Sequence, residues 1–239
     1  MRYLGGKKRI SKWVASHLLV LPHKKKYIEP FVGAGSVFEL VAPAFQEAQA
    51  NDLHPDLILL WQAIASGWIP PDLISKDEYL RLRDEAPSAL RGFAGFGSSY
   101  SGVFFAGYCH RPYHKTHDIY ERAYSLAAKD SLLKAKMAFA NATITNLDYR
   151  EVKVDENCLV YCDPPYRDTV GYKGTPAFDS DVFWAVAKTW TQTGATVVVS
   201  EASAPPEWAI LAEQTRAAFI RSDKKAPAVQ RREALYALP

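Results

Sequence analysis

Asp163, Pro164, Pro165 and Tyr166 follow the apolar run Leu159-Val160-Tyr161-Cys162, and their types suit the grip of a planar exocyclic amine. A carboxylate offers acceptors only, two prolines stiffen the turn, and an aromatic ring supplies a flat face. Read as chemistry, the tetrapeptide points to methyl transfer onto a base nitrogen. The plain alternative is a strand-to-loop turn in which Asp caps the strand end and proline stops the pairing.

A second group lies near the amino terminus. The segment Tyr27-Ile28-Glu29-Pro30-Phe31-Val32-Gly33-Ala34-Gly35-Ser36-Val37-Phe38 reads as a short strand, a glycine turn and a helix start. Gly33 and Gly35 allow backbone to approach a ligand closely. Phe38 stands where a dinucleotide fingerprint has its third glycine, so that fingerprint is incomplete. Asn51-Asp52 follows at a second strand end, placing a carboxylate about twenty residues after the glycines, where nucleotide-binding α/β folds hold a ribose hydroxyl.

Together these segments resemble the Dam-type (alpha-group) adenine-N6-specific DNA methyltransferases, in which cofactor motif, recognition segment and catalytic motif come in that order. The pattern after the tetrapeptide, Thr169, Tyr172 and Phe178-Asp179, is similar to phage and prophage members. The resemblance implies S-adenosylmethionine as cofactor, S-adenosylhomocysteine as product, DNA as partner, and no metal in the chemistry. It places Tyr3, Gly5, Gly6 and Lys7 of the opening Arg2-Tyr3-Leu4-Gly5-Gly6-Lys7 at the methionine end of the cofactor, and Glu29, Pro30, Phe31, Gly33, Ala34, Gly35 and Ser36 along the cofactor loop. Asp148-Tyr149 falls at the cofactor-adenine position, where Asp-Phe is usual. The target adenine is expected to flip out of the duplex, with Asp163 and the Pro164 carbonyl accepting the N6 hydrogens and Tyr166 stacking on the base. Val197-Val198-Val199-Ser200-Glu201 and Arg232-Glu233-Ala234-Leu235-Tyr236 look like the last two strands. An RNA, cytosine-N4 or glutamine-amide methyltransferase, or a catalytically silent DNA-binding relative, stays open on the residues alone.

Positioning these groups calls for an α/β fold, a doubly wound Rossmann-like methyltransferase sheet with a small inserted recognition segment. With 239 residues, 48% of them hydrophobic, the chain can bury one sizeable core. Residues 1–69 and 136–239 are assigned to the catalytic domain and residues 70–135 to the insert. Strands are expected at 27–30, 48–52, 142–147, 157–162, 195–200, 217–221 and 233–238. Helices are expected around Ile10, Trp13, Val14, His17 and Leu18, around Leu57, Leu60, Trp61 and Ile64, and over 119–140. Within the insert, the glycines of residues 92–108 argue against a regular helix. The aromatics there form either a satellite core or a wall beside the flipped base.

The formal net charge of +3 leaves DNA contact to local clusters. Lys7, Lys8, Arg9 and Lys12, then Lys24-Lys25-Lys26, then Arg111 with Lys115, and finally Lys224, Lys225, Arg231 and Arg232 are the candidates, with Tyr172 joining them from the catalytic loop. Residues 223–231 are read as a basic loop. Cys109, Cys158 and Cys162 are odd in number and fit reduced thiols. The spacing of Cys109, His110, His114 and His117 matches no zinc pattern, so no metal is assigned. No segment reads as a membrane span or secretion signal, and a monomer in the cytoplasm of a bacterial or phage-infected cell is expected.

Overall fold

A computed structural model describes residues 1, 3, 5–22, 24–109, 124–165, 178–218 and 229–238. In chain order the elements are α1 Ser11–Leu18, β1 Lys26–Glu29, α2 Phe38–Val41, β2 Glu47–Asn51, α3 Pro55–Ala65, α4 Lys76–Arg83, α5 Ala89–Gly97, α6 Tyr124–Ala140, β3 Thr143–Thr145, β4 Cys158–Cys162, α7 Ser180–Gln192, β5 Thr196–Glu201, β6 Ala209–Ala218 and β7 Val229–Ala237. The strands form one sheet in the order β3-β2-β1-β4-β5-β7-β6. β3, β2, β1, β4 and β5 run parallel, and β7 inserts antiparallel between β5 and β6. The chain winds outward from β1 through β2 and β3, then returns to β4 on the other side of β1. The crevice outside the carboxyl ends of β1 and β4 is therefore the topological switch point, where open α/β sheets bind ligands.

Alternation along the central strands divides the interior in two. Tyr27, Leu159, Tyr161 and Val198 enter the core that holds α1, α2, α3, α5 and α6. Ile28, Cys158, Val160, Cys162, Val197 and Val199 face Phe183, Trp184, Ala187 and Trp190 of α7. The near-continuous apolar run of β4 follows from burial on both faces. Cys158 and Cys162 are buried and free. No helix among the described residues is long and apolar enough to cross a membrane.

Two expectations need correction. The glycine-rich stretch of the insert contains a regular helix, α5, over Ala89–Gly97, capped by Ser88 Oγ, which accepts the Arg91 N–H at 3.1 Å. Its glycines are contact points. A Cβ on Gly92 would overlap the Asp56 carbonyl at the start of α3, one on Gly95 would overlap the Phe104 ring, and one on Gly97 would lie 2.9 Å from Ala128 Cβ of α6. Tertiary packing repays the helix propensity that glycine lacks. Phe93 and Phe96 are accordingly part of the main core, not of a satellite. Second, of the strand expected at 217–221 the described residues 217 and 218 are the end of β6, which begins at Ala209, and residues 219–221 lie outside the described residues; Arg231 lies on β7 and not in a loop.

The long helix starts, within the described residues, at Tyr124, and residues 119–123 of the expected span lie outside them. α6 crosses the expected boundary at 135/136 without a break. Arg91 fastens the insert to the catalytic half: Nη1 meets Asp56 Oδ2 at 2.5 Å, Nε donates to the Leu82 carbonyl at 3.0 Å, and the Ser88 N–H reaches Asp56 Oδ1 at 3.0 Å.

Candidate active site at the carboxyl ends of the strands

β1 ends at Glu29, and the chain then turns through Pro30 and Phe31 into the glycine loop. Gly33 and Gly35 both have positive φ, +48° and +66°, a conformation that L side chains rarely adopt. The turn is held from three sides: the Val32 N–H donates to the Asn51 carbonyl at 2.8 Å, the Gly33 N–H to Asp52 Oδ2 at 3.0 Å, and Trp61 Nε1 to the Gly33 carbonyl at 3.0 Å. Trp61, on the helix expected around it, packs face to face on Phe139 at 3.9 Å and also fastens the loop. Tyr3 covers Gly33, where a Cβ would meet Tyr3 Cε1 at 3.2 Å, and its ring lies 5.2 Å from that of Phe96 of α5, tilted by 39°.

Asp52 follows β2 directly. Oδ1 accepts the His54 N–H at 3.0 Å, and desolvation outweighs its hydrogen bonds, raising its pKa to about 6. Asp148 caps the turn at Tyr149–Glu151, with a reciprocal Glu151 contact. Its carboxylate is gripped by Arg150, Nε to Oδ1 at 2.8 Å and Nη2 to Oδ2 at 2.6 Å, which lowers its pKa. Three contacts on an ionised carboxylate leave one lone pair, on Oδ2. Tyr149 joins Phe31 and Phe178 in an aromatic wall, 5.2 Å from the first and 6.0 Å from the second.

Asp163 stands just beyond β4. Lys7, almost fully buried in the turn Lys7–Arg9, places Nζ 2.9 Å from Asp163 Oδ1 and 3.6 Å from Glu233 Oε2. The opening motif thus reaches the tetrapeptide, and β7 supplies a second carboxylate. Burial is the first cause of the rise in the pKa of Asp163; Lys7 opposes it and Glu233 adds to it. Glu201, buried at the end of β5, is raised to about 7, mainly by desolvation, with Asp163 and Glu233 pushing the same way. Glu29, whose Oε1 accepts the Tyr27 hydroxyl at 2.7 Å, is raised well above the usual carboxylate range by burial. Lys7 thus stands between Asp163, which lines the cleft together with Glu29, and Glu233 of β7.

One cleft collects these groups. Tyr3, Gly5, Gly6 and Lys7, the run from Glu29 to Ala34 with Ser36, Asp52, Asp148, Tyr149, Asp163 and Pro165 all line it. Pro164 is buried immediately behind, and Gly35 lies under the loop against Phe139. A family model for D12 class N6 adenine-specific DNA methyltransferases matches residues 3–89 and 103–218. The chain belongs to this family. The two matched stretches bracket residues 90–102, so most of α5 falls between them. DNA adenine methylases from two strains of Vibrio cholerae serotype O1 are each 26% identical over 186 residues, covering 70% of this chain and 64% of the relative. The chain thus spans less than two thirds of the length of those relatives. An rRNA methyltransferase structure from Streptomyces viridochromogenes aligns at 12% identity over 96% of this chain and 84% of that one, with a TM-score of 0.42.

In this D12-class chain the described nucleic-acid candidates divide by position. Lys8 and Arg9 are exposed and follow Lys7, which lines the cleft. Lys24 is at the opposite end of the sheet, where Nζ donates to the Glu156 and Gly194 carbonyls at 2.7 and 3.0 Å, so the Lys24-Lys25-Lys26 cluster is removed from the site. Tyr166, Thr169, Tyr172, Arg111, Lys115, Lys224 and Lys225, with His110, His114 and His117, lie outside the described residues. Sequence reasoning did not single out Glu201 and Glu233 as site residues, although both stood in motifs it quoted, nor did it assign a role to Asn51. Asn51 carried no signal in the sequence beyond its place beside Asp52.

Proposed function

We propose that this protein transfers a methyl group from S-adenosylmethionine to the exocyclic N6 of adenine in DNA. The observation that carries the reading is the convergence, in one cleft, of the Asp163–Lys7 pair with the glycine loop and Asp52. The cleft suits the cofactor: two positive-φ glycines leave backbone bare, Asp52 offers an acceptor for ribose hydroxyls, and the wall of Phe31, Tyr149 and Phe178 offers faces to a purine. Asp148 would receive the purine amine on its remaining Oδ2 lone pair, while Tyr3, Gly5 and Gly6 would border the methionine end.

S-adenosylmethionine supplies an electrophilic methyl on a positively charged sulfur, and its departing thioether is neutral. The protein's task is orientation. Asp163 and the Pro164 carbonyl accept the two N6 hydrogens of a flipped adenine, which aims the nitrogen lone pair into the cofactor cleft, and Tyr166 stacks on the base. Lys7 keeps the Asp163 carboxylate in place and counters the desolvation that favours its neutral form. Residues 70–135 serve as the target-recognition segment. Arg111, Lys115, Tyr172, Lys224, Lys225 and Arg231, with Lys8 and Arg9, contact DNA. The reading carries a monomer working in the cytoplasm of a bacterial or phage-infected cell, without metal.

The deciding experiment incubates the protein with labelled S-adenosylmethionine and DNA or RNA, then digests and identifies the modified nucleoside by mass spectrometry. N6-methyladenine in DNA is the expected product. N4-methylcytosine, label confined to RNA, or no transfer at all defeats the proposal. The same DNA, exhaustively methylated and read by single-molecule sequencing, is expected to show a target of at most about four base pairs, because a short insert can present few base-edge contacts, each supplying roughly 1–3 kcal/mol. A strict motif of six or more defined positions contradicts that expectation.

Asp52→Ala is expected to weaken cofactor binding by about 1–3 kcal/mol, since it strands the Gly33 and His54 N–H groups as well as the ribose. The pH dependence follows from the sign of the shift. The ionised carboxylate is the acceptor, so wild-type affinity should be flat at neutral pH and fall as pH drops through about 6. Calorimetry of the Ala variant should lose both the affinity and that limb; an unchanged profile refutes the placement.

A further inference from the structure

Asn51 is the last residue of β2 and is completely buried. Its Nδ2 donates to the carbonyls of Pro30 and Leu147, each at 3.0 Å. Its Oδ1 accepts from Thr145 Oγ1 at 2.8 Å and from the Leu147 N–H at 3.0 Å. A primary amide has two N–H bonds to give and two lone pairs to fill, so all four places are taken. The partners sit where β1 and β3, the neighbours of β2 on either side, release the chain. Beyond that point the regular ladder gives way to single backbone bonds, Val32 N–H to the Asn51 carbonyl at 2.8 Å and Asp52 N–H to the Thr145 carbonyl at 3.3 Å, and the Asn51 side chain adds its four bonds to these.

Two of the three residues that Asn51 grips stand one step before a residue lining the cleft, Phe31 after Pro30 and Asp148 after Leu147, and Asn51 itself stands one step before Asp52. We infer that Asn51 is a positioning residue, which sets from beneath the pocket the spacing between the ribose acceptor Asp52 and the purine slot formed by Phe31 and Asp148. It touches neither cofactor nor substrate. Its contribution is selectivity for an adenine base in the cofactor, because a tolerance of a few tenths of an ångström decides whether Asp148 meets the purine amine while Asp52 still meets the ribose. The inference rests on the reading of this cleft as the S-adenosylmethionine site.

The test uses the full chain and two ligands, S-adenosylhomocysteine and S-inosylhomocysteine, which carries oxygen in place of the purine amine. Wild-type protein is expected to prefer the adenine form by roughly tenfold or more, the usual scale when a site built for a polar partner meets an analogue lacking it. Asn51→Asp keeps both acceptor positions and loses both donors. It should reduce that preference to within about threefold of unity, and turnover at saturating cofactor should change less than about threefold. Thr145→Val removes one of the four bonds and gives a milder version of the same result should the first variant fail to fold. A preference equal to wild type in the folded variant, whatever its melting temperature, overturns the role of Asn51 alone. A wild-type protein with no preference overturns the purine slot and the inference with it, and wild type by itself reveals that case.

Discussion

Asp163→Ala is expected to lower the single-turnover rate of methylation by about a hundred- to a thousandfold or more, with cofactor affinity nearly unchanged. In the proposed mechanism the carboxylate acts when N6 must be aligned and its growing positive charge met, so its loss would fall on the chemical step. The variant should fold. Lys7 keeps Glu233 at 3.6 Å, so no buried cation is stranded by the substitution. Asp163→Asn should fall between the two, because an amide oxygen still accepts one hydrogen but carries no charge. The rate should also decline toward low pH, since the ionised form is the acceptor, with a midpoint above the ordinary aspartate range because burial raises it. Lys7→Met removes the opposing charge and should move that midpoint further up. Near-normal turnover in Asp163→Ala would remove the residue from the mechanism.

Gly35→Ala carries the largest expected effect on the fold. The position has φ of +66°, and an added Cβ would lie 2.7 Å from Phe139 Cζ and 3.1 Å from Trp61 Cζ2. Those rings are buried and stacked on one another, so neither can swing away. Left-handed backbone costs an L residue about 1–2 kcal/mol and overpacking a core a further 1–3 kcal/mol. The sum, about 2–5 kcal/mol, is a large share of the stability of a domain this size. Displacing Trp61 would also free the Gly33 carbonyl it holds, so cofactor binding should fail together with stability. Gly33→Ala is the comparison: its Cβ meets only the edge of Tyr3 at 3.2 Å, and its cost should be smaller. Denaturant midpoints for the two variants settle the ranking, and a Gly35→Ala protein as stable as wild type refutes it.

Where this molecule is written in local patterns, the amino-acid sequence is legible on its own. β1, β2, β4 and β5 fall within a residue or two of expectation, the first three because Pro30, Asp52 and Asp163 follow them at once and the last because of its Val197-Val198-Val199 run, and the cleft residues follow because they stand at the ends of the first three. What is not legible depends on distant partners. α5 contradicts its own glycines until Asp56, Phe104 and Ala128 are placed against them. Lys7 looks like a ligand of the cofactor's methionine end, and its pairing with Asp163 bridges most of the chain's length. Lys24 resembles the other basic clusters, yet a four-residue strand separates it from the site, and charge composition carries no information about which end of a sheet a residue occupies. Asn51 has no periodicity to betray it, since a single amide in a strand looks alike whether it faces water or closes a network.

The way α5 sits on α3 bears on how sequence specificity could be transplanted between relatives. A graft cut at residues 70 and 135 would sever α6 inside an unbroken helix and bring a foreign segment against an Asp56 carbonyl that accepts only glycine as its neighbour. The exchangeable unit is larger than the stretch 70–135 that reads as the insert. It begins upstream of Asp56, so that Asp56, Arg91 and Gly92 travel together, and it ends after α6 at Ala140, where the chain re-enters the sheet. Swaps drawn on those joints would exchange a whole wall of the molecule, Trp61 and Phe139 included, so the incoming segment must bring rings that hold Gly33 and underlie Gly35.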